Sequence, residues 1–296
     1  MKISLIGSNG LLSDSIGRYC NNNNIDLDIY GLHEPFNIDY SNFYFTDLVK
    51  DDLEYNRMKQ SNIIIYAAGA GIQSNLKEST DLVYLLNVSL PVKICNHLKQ
   101  ADYSGIFITF GSYFEIGETT ENKYYTETEV ICSLNNVPND YSISKRMLSR
   151  YLSSFKAQFK TWHFILPTIY GEKESPHRLI PYTINALKND NNLQFTSGEQ
   201  IRQYVYIDEI AHIINIAYEK DLPSGIYNIE GNETLTVKEV VSMLFEAYKK
   251  TLPGSLFGKE ERIDTGMRNL QLNGKKLHDV LDYKPTLKIL DVYERY

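Results

Sequence analysis

At 296 residues, with 43% hydrophobic and 23% charged residues, the chain is long and apolar enough to bury a full core without covalent staples. A net charge of −7 excludes broad nucleic-acid binding through a basic face. Three cysteines at unrelated spacings (Cys20, Cys95, Cys132) fit neither a disulfide framework nor a zinc site, and no apolar run reaches signal or membrane-spanning length, so a cytoplasmic protein with no membrane partner and no metal is expected.

The first apolar run, Met1 to Ile6, predicts a strand. It ends in Gly7-Ser8-Asn9-Gly10, after which apolar residues recur at helical spacing: Leu11, Leu12, Ile16 and Tyr19. Strand, glycine turn and helix open a βαβ unit, in which glycines let the backbone approach a pyrophosphate and the helix N-terminus favours its charge. Ser13 stands where a third glycine is usual. An ordinary strand-to-helix turn has the same short pattern; the position after the first strand favours the phosphate reading. Residues 25–31 predict the second strand, tipped by Gly31-Leu32-His33 with Glu34 beyond. The carboxylate that holds the adenosine ribose in NAD-binding units is missing from that tip. This favours NADP(H) over NAD(H), although no arginine replaces the acid.

Ile63-Ile64-Ile65-Tyr66 predicts a buried parallel strand, and the small residues Ala67-Ala68-Gly69 after it let a ligand lie close to the backbone. A helix over 81–100, containing Asn87, and a strand over 104–110 follow. Ser112 comes just after that strand, at the carboxyl end where such sheets bind ligands. Read alone, it is as readily a turn or capping serine. In Asn139-Asp140-Tyr141-Ser142-Ile143-Ser144-Lys145, a helix puts Tyr141 and Lys145 on one face, one turn apart. An ammonium there favours the phenolate, and a phenol so tuned exchanges a proton near neutral pH. With 23 tyrosines in the chain, chance also supplies this spacing.

A strand and loop over 162–171 close an alternating strand–helix pattern, which predicts a doubly wound parallel sheet. Beyond Gly171 the pattern changes to helices over 179–188, 208–219 and 236–250 with short strands at 193–195 and 204–207. The expected fold is α/β: a Rossmann-like doubly wound parallel sheet with a smaller C-terminal α+β substrate-binding lobe. Residues 1–171 form the dinucleotide-binding domain, segments about 203–230 return to it, and 172–296 are mostly the second lobe.

Together these stretches resemble the extended short-chain dehydrogenase/reductase family of nucleotide-sugar epimerases, dehydratases and reductases. The resemblance covers nearly the whole chain: the Gly7–Gly10 turn, Ala67-Ala68-Gly69, Ser112, Tyr141-x-x-x-Lys145, Pro167-Thr168-Ile169-Tyr170-Gly171, Arg178-Leu179-Ile180-Pro181, the block from Gly198 to Asp208, Tyr227-Asn228-Ile229 and Asp282-Tyr283-Lys284-Pro285. Within the family the chain is most similar to the branch of nucleotide-sugar 4-keto reductases of surface-polysaccharide pathways that contains CDP-abequose synthase. The resemblance implies that Ser112 hydrogen-bonds the reacting sugar oxygen, that Tyr141 is the proton donor or acceptor, and that Lys145 holds the nicotinamide ribose and tunes the phenol. It implies cofactor contacts at Gly7, Asn9, Gly10, Leu11, Leu12, His33, Ala67, Ala68, Gly69, Tyr141, Lys145 and Pro167. Substrate contacts fall on Ser112, Tyr113, Arg178, Arg202 and Arg262; a guanidinium suits a diphosphate because its planar fork binds two oxygens. A homodimer built on the Tyr141 helix and the helix before it is also implied.

Departures narrow the chemistry. The family's 4,6-dehydratases carry Thr-Asp-Glu where this chain has Ser112-Tyr113-Phe114, so the acid and base for eliminating water are missing. Decarboxylases keep a Glu and epimerising synthases a Cys at the place of Phe114. What remains needs only a hydride and one proton: reduction of a nucleotide-linked 4-keto-6-deoxyhexose or, alternatively, NAD-dependent 4-epimerisation. Gln203 and Leu166 also depart from the family pattern and leave the sugar open.

Overall fold

The computed structural model describes residues 1–36, 38–72, 76–260 and 266–296. The chain begins with β1 (Lys2–Ile6), α1 (Leu11–Asn22), β2 (Asp26–Gly31), β3 (Asn42–Phe45), the short α2 (Tyr55–Met58) and β4 (Ile63–Tyr66). A long helix follows in three parts: α3 (Thr80–Tyr84), a π-turn over Leu85–Ser89, and α4 (Leu90–Gln100). Next come β5 (Ile106–Ser112), α5 (Glu127–Ile131), α6 (Asp140–Ser154) and β6 (Lys160–Leu166). All four residues of β4 are buried, as expected of a strand covered on both faces.

The second part of the chain contains β7 (Thr168–Tyr170), α7 (Leu179–Asn189), β8 (Ile201–Tyr206), α8 (Ile207–Glu219), β9 (Gly225–Asn228), β10 (Glu233–Thr236), α9 (Val237–Ala247), β11 (Asn269–Leu270), α10 (Lys275–Leu281) and α11 (Ile289–Val292). Among the described residues seven parallel strands make the main sheet, in the order β3-β2-β1-β4-β5-β6-β9. The chain leaves β1 toward β2 and β3, then restarts at β4 on the other side. The strand order reverses there, so the crevice lies outside the carboxyl ends of β1 and β4. Apolar layers cover both faces. One layer joins α1, α8 and the second part of the chain around Ile16, Ile210 and Trp162; the other joins α4 and α6 to the sheet around Ile94, Phe107 and Leu148.

A second sheet has β8 at its centre, with β10 antiparallel on one edge and β7 and β11 parallel to it. Of the segment over about 203–230, β9 pairs with β6 in the main sheet and α8 packs beside α1, whereas β8 lies in the small sheet together with β7. The strand expected over 193–195 is absent. Those residues bond an irregular loop instead, Phe195 N–H to Leu256 O at 2.9 Å and Lys259 N–H to Phe195 O at 3.0 Å. Three residues are too few to specify a ladder once Leu193 and Phe195 are already buried by side-chain packing. β3 had no sequence expectation. It is a short edge strand held through Tyr30, whose ring stacks on Tyr44 at 4.8 Å, and Asn42, which donates to Asp28 at 2.8 Å.

His163 sits on β6 beneath the crevice. Its Nδ1 bonds Thr109 Oγ1 at 2.7 Å and its Nε2 bonds Ser149 Oγ at 2.9 Å. Burial first, then the charge of Lys145, holds its imidazole down to about 3, so it is neutral in the folded protein. An unfolded histidine binds a proton near 6.5, and the folded one resists it. The stability this contributes is present above pH 6.5 and is lost as pH falls toward 3. A unit below 6.5 therefore costs about 1.4 kcal/mol, or roughly 2–4 °C in Tm. Thermal melts at pH 7.0 and about 5.5 should show this slope, and it should flatten in His163→Gln.

Candidate active site

The crevice is built from strand ends. Gly7 follows β1 with φ +103°, and a Cβ there would stand 2.9 Å from the backbone nitrogen of Ala68. Only glycine lets the β1 and β4 loops approach this closely. Gly10 differs: its φ is −86°, and a Cβ would meet nothing nearer than Ser13 Oγ at 3.8 Å. Gly10 is the N-cap of α1 yet no side chain caps that end, so the first N–H groups of the twelve-residue helix face an open space. The buried Ser13 hydroxyl has no partner among the described residues. Exposed backbone donors, a helix dipole and free space at a glycine fit a diphosphate. Asn9 is exposed, with its amide 3.5 Å from His33 O, which ties the turn to the β2 tip. Leu11 is half-buried and Leu12 buried at the start of α1. Glu34, beyond the tip, has its carboxylate engaged by the Tyr40 hydroxyl.

Ala67, Ala68 and Gly69 form the loop after β4 and remain partly open. The π-turn explains how that loop is held. Its extra residue points Asn87 inward, where the amide accepts from Ala70 N at 3.0 Å and donates to Ala70 O at 2.9 Å and Ser144 Oγ at 2.9 Å. One buried amide thus links the β4 loop to the helix of Tyr141. The helical spacing over 81–100 showed nothing of this, because a single wide turn leaves the apolar pattern intact.

Ser112 ends β5 and caps a single 3₁₀ turn over Tyr113–Ile116. α6 starts at an Asn139 cap, whose side chain accepts from Ser142 N at 2.9 Å. The helix brings Tyr141, 9% exposed, against Ser112. Burial pushes the Tyr141 phenol up to about 12; hydrogen bonding to Ser112 and the charge of Arg178 act the other way. The partner expected to do this, Lys145, is placed differently: its Nζ donates to Phe110 O at 2.9 Å and lies 5.8 Å from the Tyr141 ring centroid. Helical spacing aligns the two Cβ atoms, but the lysine stem runs on to the Phe110 carbonyl. Burial brings the Lys145 ammonium down to about 8, opposed by the charge of Glu115.

Around this pair the walls are aromatic. Phe114 meets Tyr141 edge-on at 6.4 Å between centroids and Tyr113 at 5.2 Å. The Tyr113 hydroxyl bonds Thr168 Oγ1 at 2.5 Å. Pro167 is buried between β6 and β7. Arg178 stands before α7, bonded to Ile169 O at 3.0 Å and paired with the buried Glu174 at 3.1 Å. Arg202, 6% exposed on β8, donates to Ile201 O at 2.9 Å and to Arg268 O at 3.3 Å. Arg262 lies outside the described residues.

Residues 3–229 match the pattern of the NAD dependent epimerase/dehydratase family. The chain belongs to this family. Within it, the chain is 30% identical over 192 residues to a CDP-abequose synthase of Yersinia pseudotuberculosis, covering 61% of this chain and 60% of that protein. It is 25% identical over 158 residues to a dTDP-4-dehydro-6-deoxyglucose reductase of Escherichia coli, covering 51% of this chain and 49% of that one. The chain thus spans about half to 60% of the length of these curated relatives. In three dimensions it superposes with a TM-score of 0.84 on MoeE5 in complex with UDP-glucuronic acid and NAD, at 17% identity, covering 100% of this chain and 98% of that one. That likeness shows a common fold.

Glu115, buried behind Ser112, is a residue that the sequence reading passed over. The signal was legible: Ser112-x-x-Glu115 is the pattern of a capping box, and both of its hydrogen bonds form here.

Proposed function

We propose that this epimerase/dehydratase family member is an NAD(P)H-dependent reductase of a 4-keto-6-deoxyhexose carried on a nucleoside diphosphate, with NADP(H) ahead of NAD(H). The observation that carries the reading is the pairing of one phenol with one hydroxyl, Tyr141 with Ser112, between aromatic walls where the family's dehydratases place an acid and a base. A nicotinamide bound in the crevice supplies the hydride. Ser112 donates to the carbonyl oxygen and orients it, and Tyr141 gives that oxygen its proton as negative charge develops there. Lys145, as an ammonium, stands on the same helix face and holds positive charge near the proton donor. The open α1 N-terminus takes the dinucleotide's diphosphate. Arg202 and Arg178 are proposed for the sugar-linked diphosphate, the role the family resemblance implies. The β2 tip without a carboxylate supports NADP(H).

The related names support the same chemical class: a dTDP-4-dehydro-6-deoxyglucose reductase and a CDP-abequose synthase are among the relatives. α6 leaves Ile143 and Met147 exposed at 38% and 47%, which supports a homodimer through this helix. The deciding experiment follows NADPH and NADH absorbance with a panel of 4-keto-6-deoxy sugars on different nucleotides. The reductase reading expects stoichiometric cofactor oxidation. Tightly retained NAD with turnover that needs no added cofactor would replace it with 4-epimerisation.

A further inference from the structure

Behind the proposed site lies a carboxylate that neither the family resemblance nor the reaction uses. Glu115 has no exposed surface. Its Oε1 accepts from the backbone N–H of Ser112 at 2.8 Å, and its Oε2 has no hydrogen-bond partner among the described residues. It packs closely against Gly111, where a Cβ would stand 2.6 Å from Oε1 and 2.7 Å from His163 Nε2. The charged and titratable groups that face the cluster come from every element around it. Lys145, Arg146 and Tyr141 come from α6, the neutral His163 from β6, Tyr113 from the 3₁₀ turn and Arg178 from before α7. Arg146 spends its guanidinium on neutral acceptors: Glu115 O, Asn135 O, Ile116 O and Ser133 Oγ. Two cations thus face one acid.

We propose that Glu115 is a positioning residue for proton transfer: its buried carboxylate fixes Ser112 through the backbone N–H and supplies the negative charge against which Lys145 is held as an ammonium. The inference rests on Ser112, Tyr141 and Lys145 being the proton-transfer group. A capping box alone explains a glutamate three residues after Ser112, but such a cap works equally well on the surface. Enclosing an acid costs desolvation, which raises its pKa; Ser149, the Ser112 N–H, Lys145 and Arg146 oppose that rise. The exchange is mutual, because Glu115 also acts against the burial that brings Lys145 down to about 8. Without the carboxylate, Lys145 loses its proton at lower pH, and the ammonium beside the donor disappears within the working range.

The test reads Lys145 through cofactor binding, which needs no sugar. Affinity for NADPH and NADH, followed by fluorescence from pH 6 to 10, should weaken as the ammonium is lost, and Lys145→Met should abolish this inflection. Glu115→Gln keeps an oxygen for the Ser112 N–H but removes the charge. Its inflection should move to lower pH by roughly half a unit or more. Glu115→Asp keeps the charge but withdraws the oxygen by one methylene. Its inflection should stay near that of the wild type while kcat falls about tenfold at unchanged KM. The Asp variant also decides the matter if the Gln variant has no cooperative melt. An unmoved inflection in Glu115→Gln, an inflection that survives in Lys145→Met, or an Asp variant with wild-type kcat overturns the inference. Failure of every 4-keto sugar to turn over sinks the reductase reading instead, and leaves the binding titration to decide Glu115.

Discussion

Tyr141→Phe is expected to lower kcat by roughly 10²- to 10⁴-fold while leaving NADPH binding and thermal stability close to wild type. The substitution removes one oxygen whose side-chain partner is Ser112, and keeps the ring against Phe114. The neighbouring aromatic residues do not take over the proton: Tyr113 is bonded to Thr168 and Phe114 has none to give. The loss should therefore appear in kcat and kcat/KM together, as it does when an interaction made in the transition state is removed. Stopped-flow oxidation of NADPH by the Phe variant measures it directly, and a variant with full activity would overturn the assignment. Ser112→Ala should act on the same oxygen with a smaller loss, about 10- to 10³-fold, and the two effects should not add, since both groups serve one atom.

Gly7→Ala and Gly10→Ala should separate structure from ligand binding within a single turn. Gly7 has φ +103°, and a methyl there would press on the Ala68 backbone at 2.9 Å. The left-handed backbone alone costs roughly 1–2 kcal/mol, and the clash adds to it, so both melting temperature and cofactor affinity should fall. Gly10 has ordinary backbone angles and open space in front of it. Alanine there should change stability by no more than about 0.5 kcal/mol while weakening NADPH binding about tenfold or more, because the methyl occupies the place proposed for the diphosphate. Calorimetric melts and fluorescence titration of the two variants check this. Equal effects of both substitutions on binding and on melting would remove the phosphate role from Gly10.

Much of the main sheet was readable in advance because its signals are local. Ile63–Tyr66 is apolar on every residue, since helices cover both sides, and such a run has few alternatives to a parallel strand. The helix of Tyr141 was expected from the spacing of Tyr141 and Lys145, and the structure starts it at an Asn139 cap. Edges were less visible. β3 is a four-residue strand with exposed ends, and β11 is two residues long; both exist because a neighbour offers a free backbone edge. The same holds for 193–195, where side-chain burial was met without a ladder.

At the site, Gly7, Gly10, Ser112, Tyr141 and Lys145 were singled out by their order along the chain: Gly7 and Gly10 follow β1, Ser112 ends β5, and α6 carries Tyr141 beside Ser112 and Lys145 to Phe110 O. What the tertiary structure decided was how they face one another. Sequence spacing placed Lys145 one turn from Tyr141, yet its ammonium turns to Phe110 O and Ser112 becomes the phenol's first partner. Asn87 reaches Ala70 and Ser144 only through a π-turn that leaves no mark on the apolar pattern. Most of the main-sheet strands and the glycine turn follow from residue type and periodicity, which act over a few positions. The protonation of Tyr141, Lys145, Glu115 and His163 follows from burial and from charges brought in by separate elements, which only the folded chain brings within reach of one another.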